Sequence, residues 1–359
     1  MFNFILKRLF YGFLVLLGVI TIVFFLFNIL PGDPARMMLG QRADQASIEI
    51  INRDLGLDKP LYQQFFNYLN DLSPVSVHNS QDEKSFWYLD AEKYAPYTSL
   101  IKTKNNTVVL KKPYLRRSYQ SKRNVSEILS DAFPKTAILA LASIAIALIL
   151  GIFIGTLSAI YKDTFFDKSA LFISVLGMAL PSFFAAILIA WFFAYVLSDY
   201  TGLNMFGTLY SVDDFGRGEY LDLKNLILPA ITLGIRPLAV FIELTKTSML
   251  DVFSQDYIRT AKAKGLRFGT IVWKHALRNG LNPIVTSATG WLASLMAGAV
   301  FVEYVFDWKG VGSVIIDALE KYDFPVIMGS LLVISIILVL INILVDILYG
   351  ILDPRVRIK

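Results

Sequence analysis

The sequence predicts an all-α integral membrane protein with six transmembrane helices and an extracytoplasmic insertion between the first and second. Three observations predict it. Of 359 residues, 55% are hydrophobic and 18% charged, where an average globular chain carries about 25% charge. Mean hydropathy is +0.55. The apolar residues fall in long runs, several near the roughly 20 that a helix needs to cross a bilayer.

Taken in order, Leu9 to Leu30 has no charge and ends at Pro31-Gly32-Asp33 without a small-x-small cleavage site, so it reads as an uncleaved anchor. The second run extends from about Ala137 to Tyr161. The third, Ser169 to Leu197, contains Pro181 and is too short for two spans and a turn, so one kinked helix is expected. The fourth, Leu226 to Leu250, includes Arg236, Glu243 and Lys246. The fifth covers about Leu281 to Val302, and the sixth, Val326 to Leu352, holds one charge, Asp346.

Charge in the connections orients these spans. The stretch 246–280 carries Lys246, Arg259, Lys262, Lys264, Arg267, Lys274 and Arg278 against Asp251 and Asp256. Lys7 and Arg8 precede the first span, and Arg355, Arg357 and Lys359 follow the last. By contrast, 198–225 and 303–323 each hold five acids and two bases. Six spans with both termini cytoplasmic place the basic stretches inside. The basic cluster Lys111–Arg123 falls outside, within a loop long enough to translocate regardless of charge. The expected division is therefore 1–30, the N-terminal end and first span; 31–132, an extracytoplasmic region; and 133–359, the transmembrane core. Within 31–132, helical spacing marks 41–72, and Thr107 to Leu110 suggests one short strand. Residues 73–114 read as an added elaboration.

Chemistry is limited by what is missing. There is no cysteine, which excludes disulfides, thiol nucleophiles and cysteine metal sites. His78 and His275 are too far apart in sequence to form a metal box, and no metal site or cofactor is expected. No P-loop, His-Glu-x-x-His or Gly-x-Ser-x-Gly occurs, and Gly310-Val311-Gly312 is a lone G-x-G of little specificity. An intramembrane enzyme is disfavoured, which leaves a chain that moves something across the bilayer, signals through it or anchors in it, and the net charge of +5 follows the topology rather than marking a nucleic-acid partner.

The most informative stretch is 251–283, a basic amphipathic segment. Phe253, Tyr257 and Ala261 recur every four residues on one narrow helical face, while Arg259, Lys262 and Lys264 occupy others. Gly265 is placed as the helix C-cap. Such a segment suits anionic membrane lipid or a cytoplasmic protein partner. Arg236, deep in the fourth span, would either pair within the bundle or with a partner chain, or face a cavity along a translocation path. Asp346 would make a structural polar contact near the cytoplasmic end, or relay protons.

Tyr257 to Leu266, followed by His275-Ala276-Leu277-Arg278-Asn279 and Pro283, resembles the cytoplasmic "EAA" loop of binding-protein-dependent ABC importer permeases, most of all the dipeptide/oligopeptide and nickel group. Leu30 to Arg36, Val302 to Gly312 and Leu344 to Arg355 resemble three further signatures of that group. The sequence departs from the pattern at Arg259-Thr260-Ala261, at Glu243, and in the length of 73–114. The resemblance implies a type I importer permease in the bacterial inner membrane that moves di- or oligopeptides inward. Implied partners are a second, different permease, two ATP-binding subunits that carry the hydrolysis, and an extracytoplasmic solute-binding protein. It also implies that Phe253, Tyr257, Arg259, Ala261, Lys262, Ala263 and Gly265 dock an ATPase subunit. Nickel remains the alternative substrate. An ion-driven secondary transporter remains the alternative class, with Asp346 and Glu243 as its available acids.

Overall fold

The computed structural model describes residues 2–29, 45, 48–49, 52, 56–82, 85, 87–213 and 218–352. The motif Leu30 to Arg36, most of the helical segment expected over 41–55, and the end of the Leu344 to Arg355 signature lie outside these. Helices α1 (Phe2–Ile29) and α2 (Leu61–Leu72) precede strands β1 (Val75–Asn79), β2 (Tyr97–Lys102) and β3 (Asn106–Lys111). Next come α3 (Val125–Ile160), α4 (Phe165–Ala179), α5 (Ser182–Ile189, continued by a π-helical turn Ala190–Val196), β4 (Tyr210–Val212), β5 (Glu219–Leu221) and α6 (Lys224–Phe253). Helix α7 (Asp256–Ala263) follows, then a helical run 268–280, α8 (Asn282–Gly298), α9 (Val300–Val305), α10 (Val311–Glu320) and α11 (Phe324–Leu352).

Among the described residues, four helices are long and apolar enough to cross a membrane: Leu6–Asn28, Val125–Ile160, Lys224–Phe253 and Phe324–Ile347. The expected single kinked third helix is corrected. Helix α4 and Ser182–Val196 meet at 114°, and only together do they make a fifth candidate. Pro181 supplies no N–H and pushes Leu180 out of the helical region, to ψ 133°, so the chain breaks there rather than bending. The fifth expected run is α8, 17 residues long, after which the chain restarts as α9.

The chain divides into two compact units, one of residues 1–11, 132–313 and 336–359, the other of 12–131 and 314–335. In the first unit the core lies between α3 and α6, around Leu139, Leu228 and Phe241. Gly151-Ile152-Phe153-Ile154-Gly155 lets these helices approach closely. A Cβ on Gly151 would meet Phe241 Cβ at 2.6 Å, and one on Gly155 would meet Ile242 O and Thr245 Cβ at 2.6 Å. Where lipid removes the hydrophobic incentive, such close packing is what holds helices together.

The second unit corrects the all-α expectation. It contains an antiparallel sheet in the order β1-β3-β2, and β4–β5 forms a separate hairpin in the first unit. The suggested strand at Thr107 to Leu110 is β3, the central one. Its neighbours carry little apolar signal: β1 turns polar Ser76 and His78 inward, and β2 is exposed throughout. On α2, Phe65 and Tyr68 pack against Phe24 of α1, with ring centroids 5.2 and 5.6 Å away.

Candidate functional site

The basic segment 251–283 begins where α6 stops. Gln255 is extended, at φ −72° and ψ 147°, so Phe253 and Tyr257 sit on different helices, and the continuous face Phe253–Tyr257–Ala261 is corrected. Helix α7 instead buries Ile258 and Ala261 against Met249, Ile271, Val272 and Ala276. Ala261 therefore packs inward, and Phe253 is half-buried beside the same cluster. Tyr257, Arg259, Lys262, Ala263 and Gly265 stay exposed. Tyr257 Oη accepts a 2.9 Å hydrogen bond from Asn279 Nδ2, tying α7 to the run 268–280. The far end is capped tightly. Gly265 has φ +75°, its N–H donates to Lys262 O at 3.0 Å, and Leu266 N–H donates to Ala261 O at 3.3 Å. This paired closure needs a left-handed residue, which glycine supplies without strain. The result is a short, rigid, cationic ledge.

Arg236 is exposed on α6. Its Nη2 donates at 3.4 Å to Leu180 O, the carbonyl beside the α4–α5 break. It lines a crevice of about 60 Å³ with Thr232, Trp291 and Leu295, room for about two waters. Asp346 Oδ2 lies 3.0 Å from Arg8 Nε. Among the described residues, no group of three His, Asp or Glu is set to hold a metal ion.

Two clusters were missed in the sequence. Glu303, on α9, is completely buried. Its carboxylate accepts from Thr136 Oγ1 at 2.6 Å, Gly312 N at 2.7 Å and Ser313 N at 3.3 Å. Thr136 Oγ1 in turn accepts from Val311 N at 2.8 Å. The unspecific Gly310-Val311-Gly312 thus forms a cradle around the buried Glu303 carboxyl group. A Cβ on Gly310 would overlap the carboxylate, and one on Gly312 would overlap Val300 Cα.

In the second unit, Asp71 is 1% exposed. It meets Lys93 Nζ at 3.3 Å, Arg116 Nε at 3.2 Å and the Tyr94 hydroxyl at 2.7 Å, while Lys111 Nζ donates to its backbone carbonyl at 2.5 Å. Burial pushes the carboxyl upward, but Arg116 and Lys93 prevail and hold it below its usual value. His78, also fully buried, is packed against Tyr94 with centroids 4.5 Å apart. Burial, helped by Lys111, lowers its pKa to about 4. An unfolded histidine titrates near 6.5, so the fold favours neutral His78. The stability gained is present above pH 6.5 and is lost as pH falls toward 4, by about 3 kcal/mol in all. Thermal melting at pH 7, 5 and 4 should show this loss, and His78→Phe should flatten it. An unchanged slope in that variant would assign the acid sensitivity elsewhere.

Comparison with known proteins addresses the whole chain. Residues 147–358 match the family described as binding-protein-dependent transport system inner membrane component, and residues 1–84 match the corresponding N-terminal family. The di/tripeptide transport system permease protein DppB of Pseudomonas aeruginosa is 33% identical, covering 99% of each chain. The glutathione transport system permease protein GsiC of Pectobacterium atrosepticum is 35% identical over 100% of both. The dipeptide transport system permease protein DppB of Alkalihalophilus pseudofirmus is 31% identical over 96% of both. With its several apolar helices and its end-to-end similarity to these permeases, the chain belongs to the family of binding-protein-dependent transport system inner membrane components, as a multi-pass permease subunit.

Proposed function

We propose that this chain is the permease subunit of an ABC importer that moves di- or oligopeptides inward. The observation that carries the reading is similarity along the full chain to permeases named for dipeptides, di/tripeptides and glutathione, all of them short peptides. The proposed assembly pairs it with a second, different permease, two ATP-hydrolysing subunits and an extracytoplasmic binding protein. Helix α7 is the lever: its buried face, Ile258 and Ala261, seats it on the permease, and its exposed residues Tyr257, Arg259, Lys262 and Ala263 meet the ATPase. Six spans, with α4 and α5 forming a broken third and α8 the fifth, leave both termini cytoplasmic and 31–132 outside. Peptide crosses when the permease pair exchanges inward-open and outward-open states.

Gly265→Val tests the lever. A β-branched residue at φ +75° is strained by about 1–3 kcal/mol, although open space surrounds the site. Abundance and subunit retention should persist. Transport should fall, and ATPase activity should lose its response to loaded binding protein. If transport and stimulation both survive, α7 is not the coupling element. Simple attachment to lipid predicts the reverse pattern, a near-silent Gly265→Val and a strong effect of replacing Arg259, Lys262 and Lys264 together.

Orientation is accessible because the chain lacks cysteine. Single cysteines at exposed Asn105 and Asp317 should react with an impermeant maleimide from outside the inner membrane. A cysteine at exposed Thr270 should react only after that membrane is opened. Labelling of position 270 from outside would reverse the topology.

A further inference from the structure

The second unit holds a cavity of about 530 Å³, within the usual range of small-ligand sites. Its position follows from the two apolar helices that border it. Phe27 and Asn28 close the apolar stretch Leu6–Asn28, and Phe324 opens Phe324–Ile347. The rings of Phe27 and Phe324 stand 5.8 Å apart. Read as spans, both helices therefore pass from hydrocarbon to headgroups at the level of the cavity. Tyr68 and Tyr119 line it as well, as expected for aromatic side chains at a membrane interface.

Its charge is one-sided. Among the described lining residues the ionisable groups of fixed charge are Arg116 and Lys59, and no carboxylate faces it. Arg116 is anchored by Nε to Asp71 at 3.2 Å and by its cation over the Tyr68 ring at 5.0 Å. No described residue bonds its two terminal nitrogens, which leaves the part of the guanidinium fork that grips two oxygens of one anion. The Lys59 ammonium pairs with its neighbour Asp58 at 3.2 Å on the surface.

We propose that this cavity binds the headgroup of an anionic phospholipid, with the Arg116 fork on the phosphodiester and Lys59 at the rim. A zwitterionic peptide fits less well. Its carboxylate would suit Arg116, but its ammonium would find no acid among the described lining residues. A phosphodiester whose headgroup carries no amine needs none, and its acyl chains would lie along α1 and α11.

The test uses the full chain in mild detergent, exchanged against phosphatidylglycerol or phosphatidylcholine of matched acyl chains, with retained lipid counted by native mass spectrometry. Wild type should retain phosphatidylglycerol about tenfold over phosphatidylcholine, and Lys59→Gln should lower this about fivefold. Arg116→Gln should abolish the preference. Because that change also strips a partner from Asp71, Lys59→Gln decides the matter if Arg116→Gln does not fold. Equal retention of the two lipids, or a preference unchanged in Lys59→Gln, overturns the proposal. So does displacement of phosphatidylglycerol by millimolar inorganic phosphate, which would make this a soluble-anion pocket. Displacement by a dipeptide would make it a substrate station instead and overturns the proposal equally.

Discussion

Glu303→Ala is expected to destabilise the protein by about 3–5 kcal/mol, because it leaves several buried donors unpaired and a cavity in place of the side chain. Three donors aim at this carboxylate, Thr136 Oγ1, Gly312 N and Ser313 N, and an alanine answers none of them. Each buried donor left unpaired costs about 1–3 kcal/mol. Glu303→Gln should be much milder. Its carbonyl can take the Gly312 and Ser313 amides while its amide nitrogen donates to Thr136 Oγ1, leaving the Thr136 proton and the second amide proton unanswered. Gly312→Ala should resemble Glu303→Ala, because the added methyl meets the Val300 backbone rather than a side chain that can turn away. Membrane abundance and detergent melting temperature report all three. Equal losses in the alanine and glutamine variants would mean that side-chain volume matters at this position and the cradle does not.

Asp71→Ala is expected to have a comparable effect in the second unit. It removes the partner of Lys93, Arg116 and Tyr94 at once, leaving two half-buried cations without their shared counter-charge. Proteolytic sensitivity of the strands 75–111 and the melting temperature should both change, by the equivalent of about 3–5 kcal/mol. Asp71→Asn, which keeps an acceptor for Tyr94 but not the charge, should fall between alanine and wild type. If alanine and asparagine are both silent, the cluster is solvated and carries no stability. The same geometry changes what is expected of deleting 73–114. As a free elaboration that stretch could be lost without harm. It contains Lys93, Tyr94 and Lys111, so its removal strips Asp71 of three partners and leaves it Arg116.

The sequence was most readable where one local property decides the outcome. α1, α3 and α11 follow from apolar runs long enough to span, charge-free in the first two and holding only Asp346 in the last, and the cap at Gly265 from a glycine ending a basic helical stretch. It was least readable where the partner is remote. Asp71 binds residues 22, 40 and 45 positions away, and nothing near it marks it as buried. Glu303 depends on Thr136, 167 residues earlier. The break at Ser254-Gln255 was hidden for a different reason. Neither residue is a helix breaker, and the four-residue spacing of Phe253, Tyr257 and Ala261 continues across it by coincidence. Pro181 was visible, but an apolar run with one proline reads equally as a bent span or a broken one, and only the conformation of Leu180 decides between them.

The glycine face between α3 and α6 has a mechanical consequence. With Gly151 and Gly155 seated against Phe241, Ile242 and Thr245, neither helix can roll or slide past the other without driving backbone into side chain. Dense interfaces of this kind switch between discrete arrangements or do not move at all. The pair is therefore expected to move as one stiff arm. α6 runs into α7 through only two residues, Ser254 and Gln255, so under the proposed lever role a torque on the exposed face of α7 would pass to α3 through a short connection.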